Sequence, residues 1–278
     1  MRKLNWTRVA LALVLAGCAS GGTPTASNLT VLVYNIHAGK DAKGVDNLER
    51  VSRIIRDAGA DIVLMQEVDR NTTRSGNVDQ VARLEALTGF RGAFGKTIDW
   101  QGGDYGIAIL SRWPIVHDTL IHLPIDAAQM RSNASYEARG ALATVVQSPF
   151  GNLRVINTHL DASKGDSFRI QQAPTLLQTA GATGADISAT LIGGDFNSEP
   201  DSPVHAIVLA AGWHDAFAEC GKGEGLSWPD DKPRKRIDYL WFKSSTRCID
   251  ANVLDTNASD HRPVLFHLAL PRTILTSH

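Results

Sequence analysis

The sequence predicts an α/β fold, or α+β if the antiparallel share is larger, built as two mixed β-sheets packed face to face with helices outside. Three observations lead there. Apolar runs of β character recur from Leu29 to Leu270, and stretches of helical period stand between some of them. The series strand, helix, strand, helix and then several β runs occurs twice, and such long β segments without intervening helices favour mixed sheets over a doubly wound parallel one. The chain has 278 residues, 43% hydrophobic and 21% charged, which is ordinary globular material. With no Pro/Ser-rich linker or low-complexity block inside them, residues 29–272 are expected to form a single domain.

Leu29 to Tyr34 is a mostly apolar, β-branched run that ends at Asn35 and a Gly-containing loop, the pattern of a central strand. Asp46, with Glu49 three positions on, is the expected N-cap of a helix whose apolar face is Leu48, Val51, Ile54 and Ile55 and which Gly59 stops. Asp61 to Met65 is the next buried strand, closing on Gln66-Glu67, and a second helix is expected from Val78 to Leu87, ended by Gly89. The pattern then turns to β: Gly106 to Ser111, Pro114 to Ile121, Ala141 to Gln147 and Leu153 to Asn157, separated by Gly, Pro and Asn turns. Phe168 to Ala180 reads as a helix, Thr190 to Gly193 as a short strand, and Pro203 to Ala211 as a helix; Ile237 to Phe242, Ile249 to Leu254 and Pro263 to Leu270 close the chain as strands. Arg70 to Gln80 and Lys96 to Asp104, which carry Arg74, Trp100 and Gly102-Gly103, read as loops.

The first eighteen residues differ from the rest. Arg2, Lys3 and Arg8 make a basic start, and Val9 to Ala16 is almost wholly apolar but too short to span a bilayer. Leu15-Ala16-Gly17-Cys18 has the small residues and terminal Cys of a bacterial lipoprotein processing site. Residues 1–18 are therefore expected to be a signal peptide with Cys18 as the lipidated residue, and the Gly/Ser/Thr/Ala-rich residues 19–28 a flexible tether. This would make the chain an exported cell-envelope lipoprotein, monomeric and held to a membrane by its lipid. Cutting at Cys18 removes three basic residues and no acidic one, which leaves 25 basic against 29 acidic, a net charge of −4. Export also changes the reading of Cys220 and Cys248, the two cysteines that remain: a disulfide between them and two buried free thiols are both open.

Chemistry gathers at strand ends, where a strand fixes a polar side chain and a loop leaves it exposed. Five ends stand out: Asn35-Ile36-His37, Gln66-Glu67, Asn157-Thr158-His159-Leu160, Gly194-Asp195-Phe196-Asn197 and Ser259-Asp260-His261-Arg262-Pro263. Singly each is an ordinary turn or polar terminus. Together they supply a carboxylate for a hard cation, acids to orient or deprotonate water, imidazoles, and amides for phosphate oxygens.

With Arg236-Ile237-Asp238-Tyr239 added, these motifs occur in the order in which the endonuclease/exonuclease/phosphatase superfamily carries them. Over roughly Leu29 to Leu270 the chain resembles that superfamily, whose members include pancreatic deoxyribonuclease, abasic-site endonucleases, inositol polyphosphate phosphatases and bacterial sphingomyelinases. The resemblance implies a four-layer sandwich of two mixed β-sheets flanked by helices, with the site at one edge. It implies that Glu67 ligates Mg²⁺ or Mn²⁺ with Asn35 close by, that His159 and Asn197 contact phosphate, that Asp195 orients or deprotonates the attacking water, and that Asp238 holds the tautomer of His261. The partner of His261 also follows from geometry: Asp260 adjoins it, and neighbours in an extended segment point to opposite faces, so Asp238 is the better partner and Asp260 is expected to face the metal. Whether Asp195 or His261 is the general base stays open.

The expected function is metal-dependent hydrolysis of a phosphodiester or phosphomonoester, on a lipid headgroup or small organophosphate. An exported nuclease is the alternative, disfavoured by the net charge of −4, although Lys232, Arg234, Lys235 and Arg236 form a local basic run beside Asp238. The alternative of another class is a catalytically inactive lipoprotein that binds a lipid or partner.

Overall fold

Alternation of side chains fixes the layers of this computed structural model, which describes residues 27–127, 137–181, 184, 186–243 and 245–270. The first half contains β1 (Ser27–Asn35), α1 (Leu48–Asp57), β2 (Ile62–Arg70), α2 (Gln80–Thr88), β3 (Arg91–Trp100) and β4 (Gly103–Ser111). The second runs through β5 (Ile115–His122), β6 (Gly140–Ser148), β7 (Gly151–His159), α3 (Ser167–Gly181), β8 (Ile187–Asp195), α4 (Pro203–Ala210), β9 (His214–Asp215), α5 (Ala216–Cys220) and β10 (Asp238–Phe242). β11 (Arg247–Val253) and β12 (Val264–Leu270) then return to the first half. The described residues form two six-stranded sheets, ordered β11-β12-β1-β2-β4-β3 and β5-β6-β7-β8-β10-β9. Each is mixed, because β1 and β2 run parallel in one and β7 and β8 in the other while the remaining pairings are antiparallel.

Side chains one apart in a strand face opposite sides. In β1, Leu29, Val31 and Val33 join Ile62, Leu64, Leu142, Val155, Leu191 and Leu240 in the core between the sheets, whereas Leu32 and Tyr34 meet Val51, Ile55 and Leu84 of the helices outside. On the other outer face Ile156, Ile192, Tyr239 and Trp241 pack against Leu176, Val204 and Val208. The result is a four-layer α/β sandwich, as expected. Each fully buried Leu, Ile or Val contributes about 1.5–3 kcal/mol relative to exposure, and such residues fill all three interlayer spaces.

Four elements depart from the pattern reading. Asp46 does not cap α1: its carboxylate takes the Lys40 ammonium at 2.6 Å and its backbone bridges Lys40, so the helix starts two residues later with Asn47 at the N-cap position. β3 was expected as loop in its second half, because Gly92, Gly95, Lys96 and Asp99 dilute the apolar pattern, yet it pairs with β4 along its whole length. Glycine is required where the two strands touch: a Cβ on Gly106 would lie 1.9 Å from the Gly95 carbonyl oxygen. β9 and α5 were also not foreseen; α5 starts where Asp215 Oδ1 accepts the backbone N–H groups of Phe217 and Ala218.

Cys220, at the end of α5, and Cys248, in β11, form a disulfide with Cα atoms 5.8 Å apart, so the open pair of readings resolves to the bridge. Among the described residues no helix is long and apolar enough to cross a membrane. β1 begins at Ser27 and so takes in the last two residues of the expected tether. The remainder of the tether, the expected signal segment with Cys18, and residues 271 and 272 lie outside the described residues.

Candidate active site

The two parallel strand pairs end at a shared edge. Asn35 of β1 lies opposite Gln66 of β2, His159 of β7 lies opposite Asp195 of β8, and antiparallel β10 sets Asp238 opposite Asp195 on its other side. Because a helical crossover returns the chain between the strands of each pair, both pairs deliver their carboxyl ends in one direction. The buried Asn35 amide joins the two edges, donating to Glu67 Oε1 and to Asp195 Oδ2, both at 3.1 Å. Its carbonyl oxygen accepts the His37 backbone N–H.

Glu67 reaches this edge through a bulge. The β2–β4 register shifts between Met65 and Val68, and Glu67 sits in the left-handed region at φ 56°, a conformation that costs a non-glycine residue about 1–2 kcal/mol. The bulge re-aims its carboxylate into the cleft and opens the ladder beneath. Asn157 of β7 fills that opening from the other sheet, donating to Met65 O at 2.7 Å and Ala108 O at 2.9 Å and accepting Gln66 Nε2 at 2.6 Å. Asn197, at φ 49°, is a second left-handed residue at a strand end.

Asp195 is the centre of the constellation. Its Oδ1 accepts the Asn197 backbone N–H at 2.9 Å, and its Oδ2 lies 3.6 Å from Nε2 of both His159 and His261. Burial, with Asp238 adding repulsion, raises its carboxyl to about 7 against the opposing influence of His261 and its hydrogen bonds. Asp238 Oδ2 takes His261 Nδ1 at 2.9 Å and the Ser227 hydroxyl at 2.5 Å, which is the partnership predicted from sequence. Burial opposes a charged His261, but Asp238, then Asp195 and Asp260, outweigh it and raise the imidazole to about 10. His159 goes the other way: burial, then the positive charges of Arg139 and His261, push it well below the usual histidine value, so it stays neutral. Asp195, Asp238 and His261 bring ligand-type atoms within 4.8 Å of one another and could hold a metal ion.

Glu67, His159, Asp195, Asn197, Asp260 and His261 all line one cleft of about 930 Å³. Asp238 lies behind His261 rather than on the cleft wall, and Asn35 holds Glu67 and Asp195 from beneath. Asp260 Oδ1 is 3.8 Å from His37 Nδ1.

A model of the Endonuclease/Exonuclease/phosphatase family matches residues 32–261. The chain belongs to that family. Members of the Endonuclease/Exonuclease/phosphatase family are hydrolases, and the chain has the corresponding phosphoesterase-type fold and a buried acidic/histidine cluster. It is 27% identical to the Escherichia coli K12 protein YbhP, itself uncharacterised, over 84% of this chain and 93% of that one. Among solved structures, a family member from Beutenbergia cavernae superposes with a TM-score of 0.72 at 22% identity, over 88% of this chain and 72% of that one. A mannosyl-6-phosphatase from Bacteroides thetaiotaomicron gives 0.70 at 17% identity, over 86% and 99%. These likenesses show the fold.

The cleft also holds residues that sequence reading left unassigned. Arg139, 4% exposed, is paired with Glu137 Oε1 at 2.7 Å while its Nε has no partner; Glu137, raised chiefly by burial, is hydrogen-bonded by Tyr105. Arg74 is clamped by two 2.8 Å bonds to the fully buried Asp69 carboxylate. No spacing rule marks them, although their partners lie close in sequence, Glu137 two residues before Arg139 and Asp69 five before Arg74. The basic run divides: Arg236 turns inward to Asp215 at 2.9 Å, while Lys235 lines the cleft beside Trp228.

Proposed function

We propose that the chain is a Mg²⁺- or Mn²⁺-dependent phosphoesterase that hydrolyses a small organophosphate or a lipid headgroup. The observation that carries this reading is the Asp195 carboxyl set between a neutral and a charged imidazole, in a cleft that Glu67 and Asp260 also line. The donor set fits a hard divalent cation: Glu67 and Asp260 offer carboxylate oxygens, and Glu67 is steadied by an amide N–H and pairs with no lysine or arginine among the described residues. Asn35 then serves to hold Glu67, since its amide N–H groups already face the carboxylates. The Asp195–Asp238–His261 group suits proton handling better than a cation, because Asp238 Oδ2 is already taken by His261 and Ser227. When bound, the ion would polarise the phosphoryl oxygen and stabilise the charge that develops on it.

The residues divide the remaining work. Asp195, at about 7, takes the proton of the attacking water as its oxygen bonds to phosphorus and the ester P–O bond breaks, the leaving oxygen taking a proton from solvent to depart as the alcohol. His261, kept cationic by Asp238, offers its Nε2–H to a phosphoryl oxygen and stabilises the charge gathering there. Neutral His159 contributes its ring, and Asn197 spends one amide hydrogen on Leu160 O at 3.1 Å, which leaves the other for phosphate.

The exported, lipid-anchored location is part of the same proposal, supported by the Leu15-Ala16-Gly17-Cys18 site. A membrane surface concentrates phospholipid headgroups, while a net charge of −4 repels a long polyanion. The test is turnover by purified protein of plasmid DNA, phospholipid headgroups and soluble phosphoesters, at matched phosphoester concentration and about 0.15 M salt, where exposed charges are screened beyond roughly 8 Å. Chelator should abolish activity and Mg²⁺ or Mn²⁺ restore it, with lipid or small esters cleaved faster than plasmid. Rapid plasmid degradation with no turnover of other esters would favour the nuclease.

A further inference from the structure

Beside the reacting groups, the cleft pairs its tryptophans with cations, and the Trp228 ring lies 6.5 Å from that of His261, centroid to centroid. From the first half of the chain come Arg74 and Trp100, and from the segment before β10 come Trp228 and Lys235; all four line the cleft. The Arg74 guanidinium lies 6.0 Å from the Trp100 ring centroid and 5.2 Å from that of Tyr105, and Asp69 fixes it there from below. The Lys235 ammonium lies 5.5 Å from the Trp228 ring centroid. This pair is held together by its backbone, since Lys235 N–H donates to Trp228 O at 2.9 Å and Trp228 N–H to Lys235 O at 3.2 Å.

Exposed indoles in a phosphoester cleft would ordinarily attract a quaternary ammonium, because the ring quadrupole draws cations within about 6 Å. Here protein cations already hold both rings. A second cation arriving beside Arg74 or Lys235 would meet like charge at short range, which costs about 1 kcal/mol at 4 Å even in water. Carboxylates offset this only in part, since Asp69 neutralises Arg74 but no ion pair holds Lys235 among the described residues. Apart from Glu67, Asp195 and Asp260 at the reacting end, Glu137 is the acidic group among the described lining residues, and it is bound to Arg139 and Tyr105. Asp69 balances Arg74 from outside the cleft wall.

We propose that Arg74–Trp100 and Lys235–Trp228 form a leaving-group subsite that accepts phosphoesters with an uncharged or anionic leaving group and rejects quaternary ammonium headgroups. The proposal rests on the phosphoesterase reading and narrows it. Aromatic faces suit the carbon face of a sugar or polyol, and the cations suit hydroxyls or a second anionic group on it.

The test uses the full chain in detergent with Mg²⁺ and compounds that differ in leaving-group charge: phosphocholine, glycerol 3-phosphate and 3-phosphoglycerate, with glycerophosphocholine and glycerophosphoglycerol as diesters. The choline esters should have kcat/KM about fivefold or more below the others, a factor that one water-exposed like-charge contact supplies. Lys235→Glu, and separately Arg74→Gln, should shrink or invert that ratio. Equal or faster cleavage of the choline esters, or a ratio unmoved by charge reversal at 235, overturns the proposal. Calorimetric binding of the same compounds separates it from the catalytic reading. If no ester turns over, the phosphoesterase reading fails, while tighter binding of glycerol 3-phosphate than of phosphocholine still supports the subsite and the reverse order removes it.

Discussion

Asp195 concentrates the chemistry because three influences meet at one carboxyl: burial and Asp238 oppose its charge, and His261 favours it. A base should have a pKa near the working pH, and about 7 meets that condition. His261 has the opposite sign, since its raised value keeps the cation until pH approaches 10. With Asp195 needed ionised and His261 protonated, kcat/KM should rise through about pH 7 and fall through about pH 10. Asp238→Asn should move the alkaline limb down toward the ordinary imidazole value of about 6.5, because the largest of the charges that raise His261 is gone; a pH–rate profile of the two proteins checks this. Asp195→Asn and His261→Ala should each lower kcat by roughly 10²-fold or more. The double variant should lose less than the product of the two, because the groups act on one transition state. Full activity in His261→Ala would remove the mechanism.

At the scale of the element, the bulge in β2 shows what a linear pattern carries and what it conceals. That Glu67 ends an apolar run is visible in the sequence, and its expected use as a ligand came from the family resemblance. That the strand continues past it to Arg70 is not, because a bulge adds one residue without changing the apolar content around it. Asn157 was legible as a strand end beside His159, but its work is to cross between the sheets and satisfy Met65 O and Ala108 O, and no spacing rule marks a partner 92 residues away. Asp46 misled for a related reason: Lys40 claims the carboxylate that would have capped the helix. Asn157→Leu should therefore destabilise the fold by about 3 kcal/mol. It leaves two buried carbonyls and the Gln66 amide unpaired, and each lost partner costs about 1–3 kcal/mol against a partial gain from added apolar contact. Urea denaturation checks the value, with Asn152→Leu at the start of β7 expected to cost much less.

Across the whole molecule, the sandwich was readable because period and alternation repeat in two halves, and each half places its parallel pair where a crossover helix demands it. The cleft wall was not, since Arg74, Arg139 and Lys235 each pair with a near neighbour in sequence, and only the fold brings their three segments to one cleft. The disulfide belongs to this scale as well, tying α5 to β11, elements attached to opposite sheets. By the chain-entropy account a closed loop of this size contributes roughly 3.5 kcal/mol, a role that fits an oxidising compartment and agrees with the proposed export. The two features make a joint prediction about the N-terminus. If Leu15-Ala16-Gly17-Cys18 is processed and acylated, the wild-type protein should fractionate with membranes, with an acyl mass on an N-terminal Cys18 and no alkylatable thiol until it is reduced. Cys18→Ser should leave an unprocessed precursor or a released soluble form, with Cys220 and Cys248 still bridged because α5 and β11 hold them together. Mass spectrometry of the N-terminal peptide, with alkylation before and after reduction, reads both at once. A wild-type protein that extracts with the soluble fraction and carries no acyl mass would remove the anchor, and with it the argument that a membrane surface selects the substrate.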